Sequence, residues 1–455
     1  MPCYRKETVI PGVSTEDLWN WHMRPGAFER LLPPWQRMDV VRFPSAIEEG
    51  AIAEFKLRMG PLGLPWRARH HTIIPGREFT DTAEGGPFAV WHHRHLMEPT
   101  TDGATLIDEV TWEAPLKPLG RWAAGWFIEH ELETLFRYRH RRTARDLLRH
   151  RTLDWPRPLT VAITGASGLV GRALSSFLTT GGHRVLAIGR RARGPDGIQW
   201  NPATGELDPT RLEGVDAVVH LAGESISGSR WTAEKKRRIL ESRVQGTALM
   251  ARTLASLERP PSVFISGSAI GFYGHGPEMK TEAEPHGSGF LADVGTAWEA
   301  AAQPARDAGI RVVHPRIGLV MVSNGGLLGT LLPMFQWGMG GVVGGGHQGM
   351  SWIDLQDLVG LLAWCIRQDN IEGPVNAVAP TPVDNATFVR TLGQTLWRPT
   401  LVPAPALAVK LLMGEQGDAL ALQGQYVTPE VATRAGFIWD VPDLAQCLGE
   451  TLGRR

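Results

Sequence analysis

Apolar and polar positions alternate with a period of two over much of the first third of the chain. "KETVIPGV" near the start, and the pieces that run from "MDVVRF" through "TLIDEVTWEA", are short, rich in β-branched and aromatic residues, and separated by Gly and Pro. That pattern predicts a series of β-strands. One helical stretch interrupts it, "STEDLWNWHMRPGAFERLL", with Ser14 or Thr15 placed to cap the first turn and Pro25 placed to break it. From Gly120 to His150 the spacing of apolar residues turns helical over one long run. A sheet wrapped around a single terminal helix is the economical assembly. "RTLDWPRPLT", residues 151–160, has two prolines and no period, so a boundary falls near 151–158. This predicts a first domain over 1–150 and a second over 159–455. In the second, apolar strands ("LTVAIT", "HRVLAIG", "VDAVVHLAG", "SVFISGS", "RVVHPRIG") alternate with helical segments. Alternation of that kind predicts an α/β fold, a doubly wound parallel sheet of Rossmann-like type with crossover helices. From about 325 the order loosens into Gly-rich loops and helices, expected to include a C-terminal substrate region.

Composition narrows the classes without naming one. Hydrophobic residues at 43% and charged residues at 21% of 455 describe a globular protein. Acidic and basic residues balance at 47 each, which removes any overall electrostatic case for nucleic acid. Cys3, Cys365 and Cys447 are far apart and odd in number, so neither a disulfide framework nor a cysteine metal site follows. No apolar run is long enough to span a bilayer, and the N-terminus lacks the apolar core of a signal peptide. A cytoplasmic protein, with a homodimer as one possible assembly, is the expectation.

Candidate chemistry concentrates in "VAITGASGLVGRALSSFL", residues 161–178. Gly165, Gly168 and Gly171 stand between an expected strand and an expected helix. The first allows a tight turn, the second lets a pyrophosphate approach the backbone, and the third lets strand and helix pack closely. With Ala166, Ser167, Leu169 and Val170 they would offer the helix N-terminus to the phosphates of a dinucleotide. About twenty residues on, where an NAD site usually has an acidic residue for the ribose hydroxyls, the chain has Arg190 and Arg191. Guanidinium groups there suit a 2′-phosphate, so the expected cofactor is NADP(H).

"TGASGLVG", "DAVVHLAGE", "FISGSAIGFYGHG" and "SWIDLQDLVG" together resemble the extended short-chain dehydrogenase/reductase superfamily. "RWTAEKKRRILESRVQGT", "GPVNAVAP" and "GQYVTPEVATRAGFIWDVPDLAQCL" are similar to its atypical YfcH-like epimerase branch. The resemblance covers roughly 159–450. It implies that His220, Leu221, Ala222 and Gly223, with Ser266, lie along the cofactor. The N-terminal segment, through "WHMRPGAFERLLPPW", "FAVWHHRHLME" and the long helix, resembles the helix-grip superfamily of START and polyketide cyclase domains. That resemblance implies an α+β domain with an apolar cavity.

Short-chain dehydrogenases usually transfer a proton through a Tyr whose pKa is lowered by a Lys four residues on. The tyrosines here are Tyr4, Tyr138, Tyr273 and Tyr426, followed at that distance by Thr8, Arg142, Pro277 and Glu430. Phe290 and Val294 stand in the Tyr and Lys places. Ser268 matches the family's serine, and Tyr273 follows closely. Glu224 and Arg243 are possible supports, or a structural ion pair. Three functions fit: an NADP(H)-dependent oxidoreductase or epimerase on a small molecule; a non-catalytic NADP(H)-binding or sensing protein; or a binder or cyclase of lipid- or polyketide-like molecules through the N-terminal cavity.

Overall fold

A computed structural model describes residues 1–44, 46–59, 62–115, 118–191, 194–228 and 230–454. The chain divides into two compact units, Met1–Trp155 with Thr179–Gly182 and Glu450–Arg455, and Pro156–Leu178 with His183–Gly449. Among the described residues no helix is long and apolar enough to cross a membrane.

The first unit is built on one seven-stranded sheet. Its strands are β1 (Cys3–Pro11), β2 (Met38–Arg42), β3 (Ile52–Met59), β4 (Leu62–Ile74), β5 (Glu78–Gly85), β6 (Val90–Thr100) and β7 (Gly103–Glu113), in the spatial order β1-β7-β6-β5-β4-β3-β2. Every neighbouring pair is antiparallel, which short connections require for the consecutive strands β2 to β7, while β1 pairs with β7 across the rest of the unit. The helical stretch at the start is two helices, α1 (Thr15–Met23) and α2 (Ala27–Leu31), split at Pro25. Ser14 caps α1 in a reciprocal box with Asp17. The long helix α3 runs Pro118–Leu153, 36 residues. Leu132 and Phe136 of α3 pack on Trp66, Trp91, Val110 and Trp112 of the sheet. These aromatic contacts hold helix and sheet together by burial of apolar surface.

The second unit carries a parallel sheet. β8 (Thr160–Thr164) leads into α4 (Leu169–Thr180), then come β9 (Arg184–Gly189), β10 (Gly197–Asn201) and the short β11 (Glu206–Leu207). After them β12 (Ala217–His220), α5 (Ala233–Ala255), β13 (Val263–Ser266), β14 (Ser268–Ala269) and α6 (Phe290–Ala300) follow, with later strands Arg311–Ile317 and Gly373–Ala377. The order is β11-β10-β9-β8-β12-β13, then Arg311–Ile317, which pairs with both β14 and Gly373–Ala377. Only β11 is antiparallel to its neighbour in this sheet. Strand order reverses between β8 and β12, the place where doubly wound sheets open a crevice at their C-terminal edge. The fold is Rossmann-like. Beyond 325, Gly373–Ala377 extends the sheet and the helix Leu355–Arg367 is buried along nearly its whole length.

Candidate functional site

The crevice is shaped by the turn after β8. Gly165 has φ +70°, and a Cβ there would lie 3.1 Å from the Ala222 nitrogen across the crevice. A Cβ on Gly171 would come within 2.2 Å of the Gly165 carbonyl oxygen, so only glycine lets α4 start this close to β8. Gly168 N–H donates to Gly165 O at 2.8 Å and closes the turn, leaving Ser167 and Gly168 exposed at the head of α4. This cradle fits a pyrophosphate: the space is kept clear by missing side chains, and the helix dipole favours an anion. At the end of β8, Thr164 Oγ1 accepts from the Leu221 and Ala222 N–H groups of the facing loop at 3.1 and 3.2 Å and lies 2.7 Å from His220 Nδ1. These bonds tie β8 to the β12 loop. His220 is fully buried, and burial, with Arg243 nearby, lowers its pKa to about 4, so it is a neutral ring.

Arg190 and Arg191 are exposed at the end of β9. Glu224 lies on the loop after β12, where its carboxylate pairs with Lys235 Nζ at 2.7 Å. That hydrogen bond, with the charges of Lys235, Arg238 and Arg190, holds the Glu224 carboxyl below its usual range. The ion pair between Glu224 and Arg243, the alternative to a supporting role, is not formed. Arg243 Nη1 instead donates to the main-chain oxygens of Glu224 and Ile239, each at 3.0 Å, and the guanidinium lies 4.9 Å from the Trp298 ring centroid. Burial pulls Arg243 down to about 10. Its hydrogen bonds tie the loop after β12 to α5.

Ser268 and Tyr273 belong to one buried network. Ser268 Oγ donates to Glu299 Oε1 at 2.7 Å. Arg316 grips both oxygens of Glu299 at 2.9 Å, and its Nη1 donates to Tyr273 Oη at 2.8 Å. Tyr273 in turn donates to Asn376 Oδ1 at 2.7 Å. Register explains the assembly: Ser268 pairs with Arg316 across β14, and Arg316 with Asn376 on the next strand. Burial raises the Tyr273 pKa, partly offset by Arg316, so the phenol is neutral. Glu299 is held below its usual range by Arg316, against the opposing effect of burial. The Tyr and Lys places of α6 are apolar: Phe290 stacks edge-on against Trp231, and Val294 is buried beside it. Ser266 is buried at the end of β13 with its Oγ unpartnered. Sequence reasoning missed Glu299, Arg316, Asn376 and Lys235. A signal existed for Arg316, a charge inside the apolar strand "RVVHPRIG".

The first unit encloses a cavity of about 860 Å³, with Phe55, Trp66, Phe88 and Trp91 among its walls. Polar groups converge in it: Asp81, His93 and His95 reach the same space.

Comparison with known proteins finds two family models, both centred in the second unit. The model of the NAD dependent epimerase/dehydratase family matches residues 161–377, and that of a domain of unknown function, DUF1731, matches 404–451. Epimerase family protein Mb2239 of Mycobacterium bovis is 40% identical over 291 residues, 64% of this chain and 96% of its own. Epimerase family protein YfhF of Bacillus subtilis is 32% identical, over 65% of this chain and 99% of its own. The solved nucleoside-diphosphate sugar epimerase from Corynebacterium glutamicum is 33% identical with a TM-score of 0.82, covering 99% of this chain and 90% of that one. Human epimerase family protein SDR39U1, solved with NADPH, is 33% identical with a TM-score of 0.60, covering 65% of this chain and 99% of that one.

Proposed function

Because the chain belongs to the NAD dependent epimerase/dehydratase family, we propose that its second unit is an NADP(H)-dependent oxidoreductase acting on a small molecule. The observation that carries this reading is the glycine cradle at the switch point, with Arg190 and Arg191 at the end of the neighbouring strand. Gly165–Gly171 would hold the pyrophosphate, Arg190 and Arg191 the 2′-phosphate, and the His220–Gly223 segment the face of the cofactor. The human relative solved with NADPH supports the choice of phosphate. When bound, the cofactor supplies or accepts hydride.

The chain's own part is orientation and proton supply. Ser268 keeps its hydroxyl proton on Glu299 and leaves its oxygen lone pairs free to accept from a substrate or water. Tyr273, with its proton given to Asn376, acts as a positioning residue through Arg316. A reductase whose proton comes from a water held by the Ser268 oxygen is the form that fits this arrangement. The test is NADPH consumption against a broad panel of aldehydes and ketones. We expect Ser268→Ala to lower turnover at least tenfold while NADPH affinity is unchanged. If no carbonyl consumes NADPH although it binds tightly, the second reading stands, an NADP(H)-binding or sensing protein. The apolar Phe290 and Val294 favour that reading.

For the first unit we infer a helix-grip ligand-binding domain of the START and polyketide cyclase kind, taking a hydrophobic molecule. The antiparallel sheet, the 36-residue helix and the aromatic cavity support it. Mass spectrometry of organic extracts from the purified protein tests it. A stoichiometric apolar ligand is expected; a cavity that neither copurifies with nor takes up any apolar probe would contradict it.

A further inference from the structure

Asp81 on β5 stands directly opposite His93 on β6, and His95 lies two residues further along the same strand. Positions i and i+2 of a strand share a face, so the three side chains project together. They do so into the cavity. Among the described residues they are the one group of His, Cys, Asp or Glu whose ligand atoms all lie within 4.8 Å of one another. His93 Nδ1 is 3.2 Å and His95 Nε2 3.5 Å from the same oxygen, Asp81 Oδ2. Two donor atoms each about 2.1 Å from a common metal, at tetrahedral or octahedral angles, are about 2.9–3.4 Å apart. The 3.2 Å separation falls within that range and the 3.5 Å one just beyond it.

What lies behind the rings points the same way. His93 Nε2 is hydrogen-bonded to Asp108 Oδ1 at 2.7 Å. His95 Nδ1 lies 2.7 Å from the same oxygen, in an off-axis approach rather than a formed hydrogen bond. The other oxygen of Asp108 is held by His140 Nε2 at 2.7 Å, and His140 Nδ1 is fixed by Thr8 Oγ1 at 2.9 Å. Metal-bound histidines commonly turn their remaining N–H to a carboxylate, which fixes the tautomer and aims the free lone pair. Here one carboxylate is hydrogen-bonded to one imidazole and lies beside the other, and the far nitrogens of both rings face a second, separate carboxylate. A plain ion-pair cluster needs no such division between an inner set and a backing set.

We propose that Asp81, His93 and His95 bind one divalent transition-metal ion of the zinc or ferrous class, open on its remaining side to the apolar cavity, with Asp108 as the positioning residue behind both histidines. Two imidazoles and one carboxylate suit those ions and leave coordination positions vacant. An oxygen donor on a molecule held in the cavity would complete the shell. The site lies wholly in the first unit and stands apart from the nucleotide reading of the second.

The experiment uses the full chain, stripped with a chelator and titrated with Co²⁺ and Zn²⁺. One ion per chain is expected, with micromolar or tighter affinity and a Co²⁺ visible spectrum stronger than that of the hydrated ion. Asp81→Asn and His95→Gln should each weaken binding at least ~100-fold, and Asp108→Asn about 10–100-fold. His286→Gln, at an exposed loop histidine, should leave it unchanged. Failure of the unmodified protein to take up one equivalent, or uptake unaltered in Asp81→Asn and His95→Gln, would overturn the proposal. Should those variants lose their circular dichroism signature, the Co²⁺ spectrum of the unmodified protein decides alone: that of the hydrated ion would refute the site.

Discussion

The Tyr273 hydroxyl takes a hydrogen bond from Arg316 and gives its proton to Asn376. Donating to a substrate would mean giving up the Asn376 bond. Tyr273→Phe leaves a buried amide oxygen and a guanidinium N–H without that partner, a cost of about 1–3 kcal/mol. We expect a lowered unfolding midpoint with turnover reduced less than in Ser268→Ala; loss of turnover without loss of stability would make Tyr273 the donor instead. His220 and His314 give a pH dependence. Burial is the main cause holding each near pKa about 4, below the ordinary 6.5. Their neutral forms therefore favour the folded state fully above pH 6.5, and that stability is lost as pH falls from 6.5 toward 4. At about 1.4 kcal/mol per unit, each contributes about 3 kcal/mol across the window. Denaturant midpoints measured at pH 7.5, 6 and 5 should fall, and His314→Gln should flatten the slope; a constant midpoint in the unmodified protein would contradict this. Ser268 and Tyr273 were legible as polar groups near a strand end. Their partners were not legible as a group, because register across three strands distant in sequence brings Arg316 and Asn376 to Ser268, and Glu299 joins them from α6.

Among elements, the strand–turn–helix from Thr160 to Thr180 was the most legible, since its glycines answer a local steric demand. Gly171→Ala puts a methyl against the Gly165 carbonyl, so α4 must shift away from β8. Overpacking of this kind costs about 1–3 kcal/mol. We expect Gly171→Ala to destabilise the second unit by that amount and to weaken NADPH binding at least tenfold, measured by calorimetry; unchanged affinity would mean that the cradle does not hold the phosphates. The core strands β8, β9, β12 and β13 could be read from their apolar runs. β10 and Gly373–Ala377 were not flagged, because "GIQWN" and "GPVNA" are short and carry Gly or Pro, and their strand character comes from pairing with stronger neighbours. In the first unit the alternation was enough to find the strands and the 3.6-residue period enough to find α3. The cluster of Asp81, His93 and His95 escaped notice because Asp81 joins the histidines only through β5–β6 pairing.

At the scale of the whole molecule, the mycobacterial and human relatives are almost fully covered by about two thirds of this chain, a length that the second unit alone supplies. The Corynebacterium glutamicum structure matches nearly the whole chain. A fragment beginning at residue 156 should therefore fold and bind cofactor by itself; insoluble or cofactor-free material, after its ends had been varied, would argue for one indivisible unit. The central claim is that Arg190 and Arg191 make the crevice an NADP(H) site. It is tested most directly by titrating NADPH and NADH into the unmodified protein and into the double variant Arg190→Ala/Arg191→Ala. NADPH should bind more tightly to the unmodified protein, and the double variant should lose that preference, at about 1.5–3 kcal/mol for each charge-assisted contact, while its NADH affinity is retained. Equal affinity for the two cofactors in the unmodified protein would contradict it.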